Sequence, residues 1–180
     1  MEAIDDTFKV TKLDAARRQL KTAIDLWFYG GDPVAVHTLS FAAYEVIHFV
    51  SRDKGRTRDL LLDTLIIKPE HLRDWQKRLK EASNFFKHAD RDPNGELDFN
   101  PLLNNFLILF SILGLDLMAL KKNSSEVAFI FWLGITRPSY LTDLGKKELA
   151  KSFPGESLEK VKSLPRKEFY DAFVSLRENQ

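Results

Sequence analysis

The sequence contains no cysteine. Without thiols the chain cannot form disulfides, thiolate zinc sites or a cysteine nucleophile, and its composition fits a reducing compartment. The first ten residues, MEAIDDTFKV, are acidic and lack the basic region and apolar run of a secretory signal. We therefore expect a cytoplasmic protein.

The sequence also lacks an excess of charge of one sign and a long hydrophobic run. Lys and Arg total 27 against 26 Asp and Glu, so the formal charge of +1 gives no global attraction to nucleic acid or anionic membranes. The strongest apolar run, residues 106–115, covers ten residues, whereas a membrane span needs about 20. We expect no membrane association, and any binding to nucleic acid must be local.

The apolar residues that are present follow a helical pattern. With 44% hydrophobic and 29% charged residues, the composition is that of an ordinary folded protein. Spacings of three and four predict an amphipathic helix at residues 12–29, and GGDP ends it before a second helix that begins at Pro33. The pattern predicts further helices at 33–51, 69–90, 102–120 and 126–135 and an amphipathic segment at EFYDAFVSL, with a basic turn at 52–58 and an apolar segment at 60–67.

These elements predict an all-α fold, a helical bundle with short C-terminal helices. No alternation of strands with helices suggests a sheet. We expect a single helical domain over residues 1–180, with a bundle core at about 12–135 and a C-terminal helical extension at about 136–180.

The stretch HADRDPNGELDFNP, residues 88–101, has the spacing of a calcium-binding loop over most of its length. Counting from Asp90 puts side-chain oxygens at the first, third, fifth and ninth places and Gly95 at the sixth. The twelfth place, which normally holds a bidentate Glu, is Pro101. DPNG is also typical of a β-turn between helices. Two interpretations follow: a plain turn, and a calcium-responsive module that uses Asp90 to Asp98.

Two histidines of the second helix could belong to a metal centre. His37 and His48 are eleven residues apart and share one helical face, and Glu45 and His48 have the Glu-x-x-His spacing of di-iron bundles. That spacing occurs once, whereas a di-iron centre needs it twice. We therefore expect buried histidines with hydrogen-bond partners, and neither a metal site nor a cofactor.

The runs LWFYGGDPVAVHTLSFAAYEVIHFV and NFFKHADRDP resemble a group of uncharacterised bacterial helical proteins, and the second run is similar to the motif of the HEPN superfamily. Members of that superfamily are helical bundles, and many are metal-independent ribonucleases that dimerise to bring two motifs together. Their motif is an arginine followed after four to six residues by a histidine, often with a polar residue just after the arginine. Here Asn84 matches the polar residue and His88 the histidine, whereas Ser83 precedes Asn84 where the arginine would stand.

The resemblance implies a bacterial homodimer that binds RNA or a nucleotide and cleaves RNA without a metal. Cleavage through the 2′-hydroxyl needs a group that exchanges protons near neutral pH and a cation near the developing charge. His88 would be the general acid or base, Asn84 would orient it, and Lys87 would contact phosphate. A structural interpretation of the same residues is a helix C-terminal turn, where Lys and His face the negative end of the helix dipole.

A second hypothesis is a non-catalytic, homo-oligomeric interaction protein. Its apolar elements at 102–120 and 127–135 would then be partly buried at an interface between copies or with a partner.

Overall fold

The computed structural model describes residues 7–55, 60–62, 68–88, 90, 92–152 and 157–179. Within these ranges the chain forms α-helices and one 3-10 turn and no strand, which confirms the predicted all-α bundle. The helices are α1 (Lys12–Phe28), α2 (Pro33–Asp53), α3 (Pro69–Lys87), α4 (Leu103–Leu117), α5 (Ser124–Thr136), α6 (Asp143–Ser152), α7 (Ser157–Ser163) and α8 (Arg166–Glu178), with the 3-10 turn at Pro138–Tyr140.

Capping residues determine where the first two helices begin. The Thr11 hydroxyl accepts a hydrogen bond from the Asp14 N–H at 3.1 Å at the start of α1. Gly30 takes a positive φ of 71° after the helix, where glycine has no steric penalty. The Asp32 carboxylate then accepts from the N–H groups of Val34 and Ala35, so α2 begins directly. The predicted helix pair around GGDP is confirmed, because α1 and α2 pack against each other.

Helix α2 is the centre of the bundle and packs against α1, α3 and α4. His37 faces Asn104, and Ile47 faces Gly114, so α2 and α4 run in the same direction. The missing side chain of Gly114 allows the close approach, since a Cβ there would lie 2.5 Å from Ile47 Cγ2. Length and apolar composition alone would also let α2 cross a membrane, and half of that apolar window is buried inside the bundle.

Two clusters of buried side chains hold the bundle together. The larger cluster joins α1, α2, α4 and α5, and α8 contributes Phe169 and Tyr170 to it. The smaller cluster lies between α2, α3 and α4 and includes Tyr44, Leu79 and Leu107. The final helix is therefore packed into the main core.

Some predicted boundaries differ from the observed ones. Helix α5 begins at Ser124, two residues before the predicted start, because Asn123 accepts from the Glu126 N–H at 2.9 Å and caps the helix. Helix α4 ends at Leu117, and Ala119 beyond it has a positive φ of 57°. The predicted basic turn at 52–58 and apolar segment at 60–67 lie partly outside the described residues, although Leu60, Leu61 and Leu62 are buried.

Candidate functional site

The solvent-facing side of α3 forms a shallow groove that contains two of the three predicted site residues. Helix α3 has an amphipathic sequence: Leu79 and Ala82 are buried in the core, and most exposed residues of its outer face are charged. Residues spaced by three and four share a face of a helix. The groove has a volume of about 270 Å³ and is lined by Lys77, Glu81, Asn84, Phe85, His88 and Asp92.

His88 lies at the mouth of this groove, at the end of α3. Its backbone N–H donates to the Asn84 carbonyl at 3.1 Å, which fixes the histidine one turn after the asparagine. The His88 side chain is 42% exposed, and its Nδ1 lies 3.9 Å from a carboxylate oxygen of Asp90. The ring is thus accessible to a ligand and has an acidic neighbour on one side.

Phe85 is a residue of the groove that the sequence did not single out. Its side chain is 36% exposed and lines the groove together with Asn84 and His88. An aromatic ring at the surface beside an amide and an imidazole is a typical surface for stacking a nucleobase. The sequence signal was present in the NFF run, but only the helix orientation distinguishes exposed Phe85 from Phe86, which packs against His37.

Lys87, the third predicted site residue, is directed away from the groove. Its ammonium lies over the ring of Phe41 in α2, 5.3 Å from the ring centroid. Such a cation–π contact at an exposed site contributes only about 0.5–1 kcal/mol. The lysine can therefore leave Phe41 for a phosphate at small cost.

Ser83 stands where the motif of the resembled superfamily would have its arginine. Its side chain is buried, and its hydroxyl has no hydrogen-bond partner among the described residues. The position points into the core between α3 and its neighbours, where a guanidinium would lose its hydration. The cation for any reaction in the groove must come from another position.

His37 and His48 are both buried in α2, as their shared helical face indicated. His37 Nδ1 lies 2.9 Å from Asn104 Oδ1, and Asn104 in turn donates its Nδ2 to the Pro33 carbonyl. His37 is therefore a buried histidine with a hydrogen-bond partner, as predicted. Burial lowers the pKa of His37, the Asn104 hydrogen bond raises it, and the charge of Lys87 lowers it further.

The loop that follows His88 contains the predicted turn. The N–H of Gly95 donates to the Asp92 carbonyl at 3.2 Å, which closes DPNG as a β-turn. In the part of the chain that the structure describes, no three His, Asp or Glu side chains are placed to hold a metal ion. The calcium-responsive module stays a prediction from the sequence spacing.

A second exposed feature is an apolar stripe along α4. Leu102, Phe106 and Leu113 are each more than a third exposed, and the Phe106 ring lies 6.1 Å from that of Tyr140. The spacing puts these side chains on one outer face, opposite the face that packs on α2. We call this surface the α4 stripe.

No protein-family model, no curated protein and no solved structure matches this chain.

Proposed function

We propose that this protein is an RNA-binding helical bundle, resembling HEPN domains, that holds an unpaired nucleotide in the α3 groove. The observation that carries the proposal is the joint exposure of Asn84, Phe85 and His88 in one groove at the end of α3. Proteins recognise single-stranded RNA by stacking its bases on aromatic rings and by hydrogen bonds to the base edges. Phe85 supplies the ring and Asn84 supplies both a donor and an acceptor.

The charge of the groove indicates where the affinity comes from. Lys77 is its only lining cation among the described residues, and Glu81 and Asp92 are carboxylates. Phosphate contacts therefore contribute little, and stacking must contribute most of the binding free energy. Because salt dependence scales with the number of neutralised phosphates, the affinity should change only weakly with ionic strength.

Replacing Phe85 tests the binding step. Stacking of one base on an aromatic ring contributes about 1–3 kcal/mol, so Phe85→Ala should weaken binding of a fluorescent single-stranded RNA by about fivefold to a hundredfold in fluorescence anisotropy. Phe49→Ala is the matched control, because Phe49 is also half-exposed but lies on α2 outside the groove. Equal affinity of both variants and the unmodified protein would contradict the proposal.

His88 can add RNA cleavage to this binding. The imidazole takes the proton of a 2′-hydroxyl, the O2′–P bond forms, and the P–O5′ bond breaks to leave a 2′,3′-cyclic phosphate. The departing 5′-oxygen takes a proton from a second, protonated imidazole, which His88 of another copy supplies in a homodimer. Asp90 lies 3.9 Å from Nδ1, on one side of the ring, so Nε2 is the nitrogen that meets the substrate. Lys87, released from Phe41, stabilises the phosphorane charge.

The cleavage step is tested with a mixed pool of tRNA and single-stranded RNA in EDTA. His88→Ala should abolish cleavage, and His71→Ala is the control, because His71 is an exposed histidine on the same helix outside the groove. Loss of cleavage in both variants, or in neither, would contradict a catalytic role for His88. RNA binding without any cleavage by the unmodified protein would leave the groove as a binding site alone.

The α4 stripe favours the second candidate, a non-catalytic interaction protein that forms homo-oligomers. Three large apolar side chains on one outer helix face are unusual for a surface that stays in water. This candidate predicts a dimer that persists at high dilution in sedimentation and becomes monomeric in Phe106→Glu. A monomer at every concentration would exclude it.

A further inference from the structure

A cleft at the other end of the bundle collects cations from three separate elements. The α3 groove lies beside the first turns of α2, where Lys87 covers Phe41. The second cleft lies beyond the end of α4, has a volume of about 530 Å³, and is lined by Arg17, Lys21, Lys121, Lys122, Asn123, Ser124, Ser125, Arg177 and Glu178. From these residues we infer that the cleft binds a polyphosphate group, either a free polyphosphate chain or the phosphates of a nucleotide.

Three of the five cations are fixed in place by contacts with acceptors. Arg17 donates to the Lys121 carbonyl at 2.9 Å and lies 3.7 Å from the buried carboxylate of Glu126. Lys21 pairs with Asp25 at 2.7 Å, and Lys122 pairs with Asp116. These pairs hold the side chains at the cleft without a ligand, which reduces the entropy lost on binding.

The other two cations supply the uncompensated charge. Lys121 and Arg177 are exposed and have no ion-pair partner among the described residues. Glu178, which follows Arg177 in α8, is the one carboxylate in the lining of the cleft as the structure describes it. Lys121 and Arg177 line the same concave surface, and two cations in one cleft attract a multiply charged anion more strongly than a singly charged one.

Uncharged donors complete the cleft. Ser124 and Ser125 are the first two residues of α5, where backbone N–H groups have no acceptor within the helix. The Ser125 hydroxyl is buried and lies 2.6 Å from the Tyr170 hydroxyl, so Ser124 supplies the hydroxyl that faces the cleft. Phosphate oxygens accept from such N–H groups and from hydroxyls at the same time as from Lys and Arg. The lining therefore suits an anion with several oxygen acceptors, such as a phosphate group, rather than an apolar ligand.

The size of the cleft indicates how many phosphate groups its ligand has. Pockets for nucleotide-sized ligands have volumes of about 300–1,000 Å³, and this cleft lies within that range. Its cations come from α1, from the α4–α5 connection and from the end of α8, so a ligand with several charged groups can pair with more of them than one phosphate can. A chain of two or three phosphates can span the cleft.

The test is isothermal titration calorimetry of the full chain with sodium tripolyphosphate and, separately, with ATP, both without added metal. Lys121→Gln combined with Arg177→Gln removes the two free charges from exposed positions, and the fold should be unaffected. The control is Lys68→Gln combined with Lys147→Gln, which makes the same change in net charge at exposed lysines outside the cleft.

We expect tripolyphosphate to bind the unmodified protein and the control variant alike, and the cleft variant about tenfold more weakly. Equal binding of ATP and tripolyphosphate would identify the phosphate chain as the ligand, and tighter binding of ATP would assign the cleft to nucleotides. Undetectable binding by the unmodified protein, or equal loss in both double variants, would overturn the inference. The α3 groove is not altered in any of these variants, so the outcome is independent of RNA binding there.

Discussion

At the scale of single residues, His37 is a titratable group held in an apolar environment. It is fully buried between Phe41, Phe86 and Phe99, with ring centroids 6.0, 5.7 and 5.1 Å away. Asn104 accepts from Nδ1, so the neutral ring carries its proton there, and Nε2 has no partner among the described residues. A second proton on Nε2 would be buried without an acceptor, which is why the neutral form is favoured.

This environment predicts a loss of stability in mild acid. The pKa of His37 is lower in the folded protein than its ordinary value of 6.5, so the unfolded chain binds a proton more readily as the pH falls through that value. The stabilising contribution is complete above about pH 6.5 and decreases as the pH falls toward the folded pKa. Urea unfolding measures the free energy of unfolding at about pH 7.5 and about pH 5.5. Between these two values it should decrease more for the unmodified protein than for His37→Gln, whose amide can still donate to Asn104. The same pH dependence in both proteins would contradict this assignment.

At the scale of helices, the sequence predicts α3 and its outer face well. The apolar spacing from Leu72 to Phe86 sets which side is buried, and Asn84 and His88 then fall on the exposed side. The spacing could not predict where the Lys87 ammonium lies. It contacts the ring of Phe41, which belongs to another helix. Local pattern fixes the face of a residue, whereas tertiary packing fixes its partner.

The buried position of Ser83 predicts that an arginine is not tolerated there. Ser83→Arg should lower the free energy of unfolding by about 3 kcal/mol or more, because an unpaired charge would be buried. Ser83→Ala is the matched control and should be close to neutral, since the hydroxyl has no partner among the described residues. Chemical denaturation measures both values. A stable Ser83→Arg protein that cleaves RNA faster would show that the position is not constrained as described.

The contact between α2 and α4 gives a second prediction at this scale. Gly114→Ala should destabilise the protein by about 1–3 kcal/mol, because the new Cβ would lie 2.5 Å from Ile47 Cγ2 and the β-branched side chain cannot move aside. Gly145→Ala in α6 is the control: its Cβ would meet Leu141 at an ordinary 3.5 Å, and helix propensity should then stabilise it by about 0.5 kcal/mol. Thermal unfolding of the two variants should therefore shift in opposite directions, and two shifts of the same sign would contradict the packing.

At the scale of the whole molecule, the helices follow from local sequence, whereas the grouping of functional residues does not. The GGDP turn, the Asn123 cap and the apolar stripes determine where helices begin and which face they bury. The cleft at the end of α4 joins Arg17, Lys121 and Arg177, which are far apart in the chain. No periodicity within one element could predict that grouping, because it depends on how α1, α5 and α8 pack together.

Photo-crosslinking locates RNA on the protein surface and so tests whether it binds in the α3 groove. A single-stranded RNA that contains 4-thiouridine is irradiated with the protein, and the attached peptides are identified by mass spectrometry. We expect the crosslinks to fall on the α3 peptide that carries Phe85 and His88, and to decrease strongly in Phe85→Ala but not in Phe49→Ala. Crosslinks confined to the peptides of Lys121 and Arg177, or spread evenly over the surface, would contradict it.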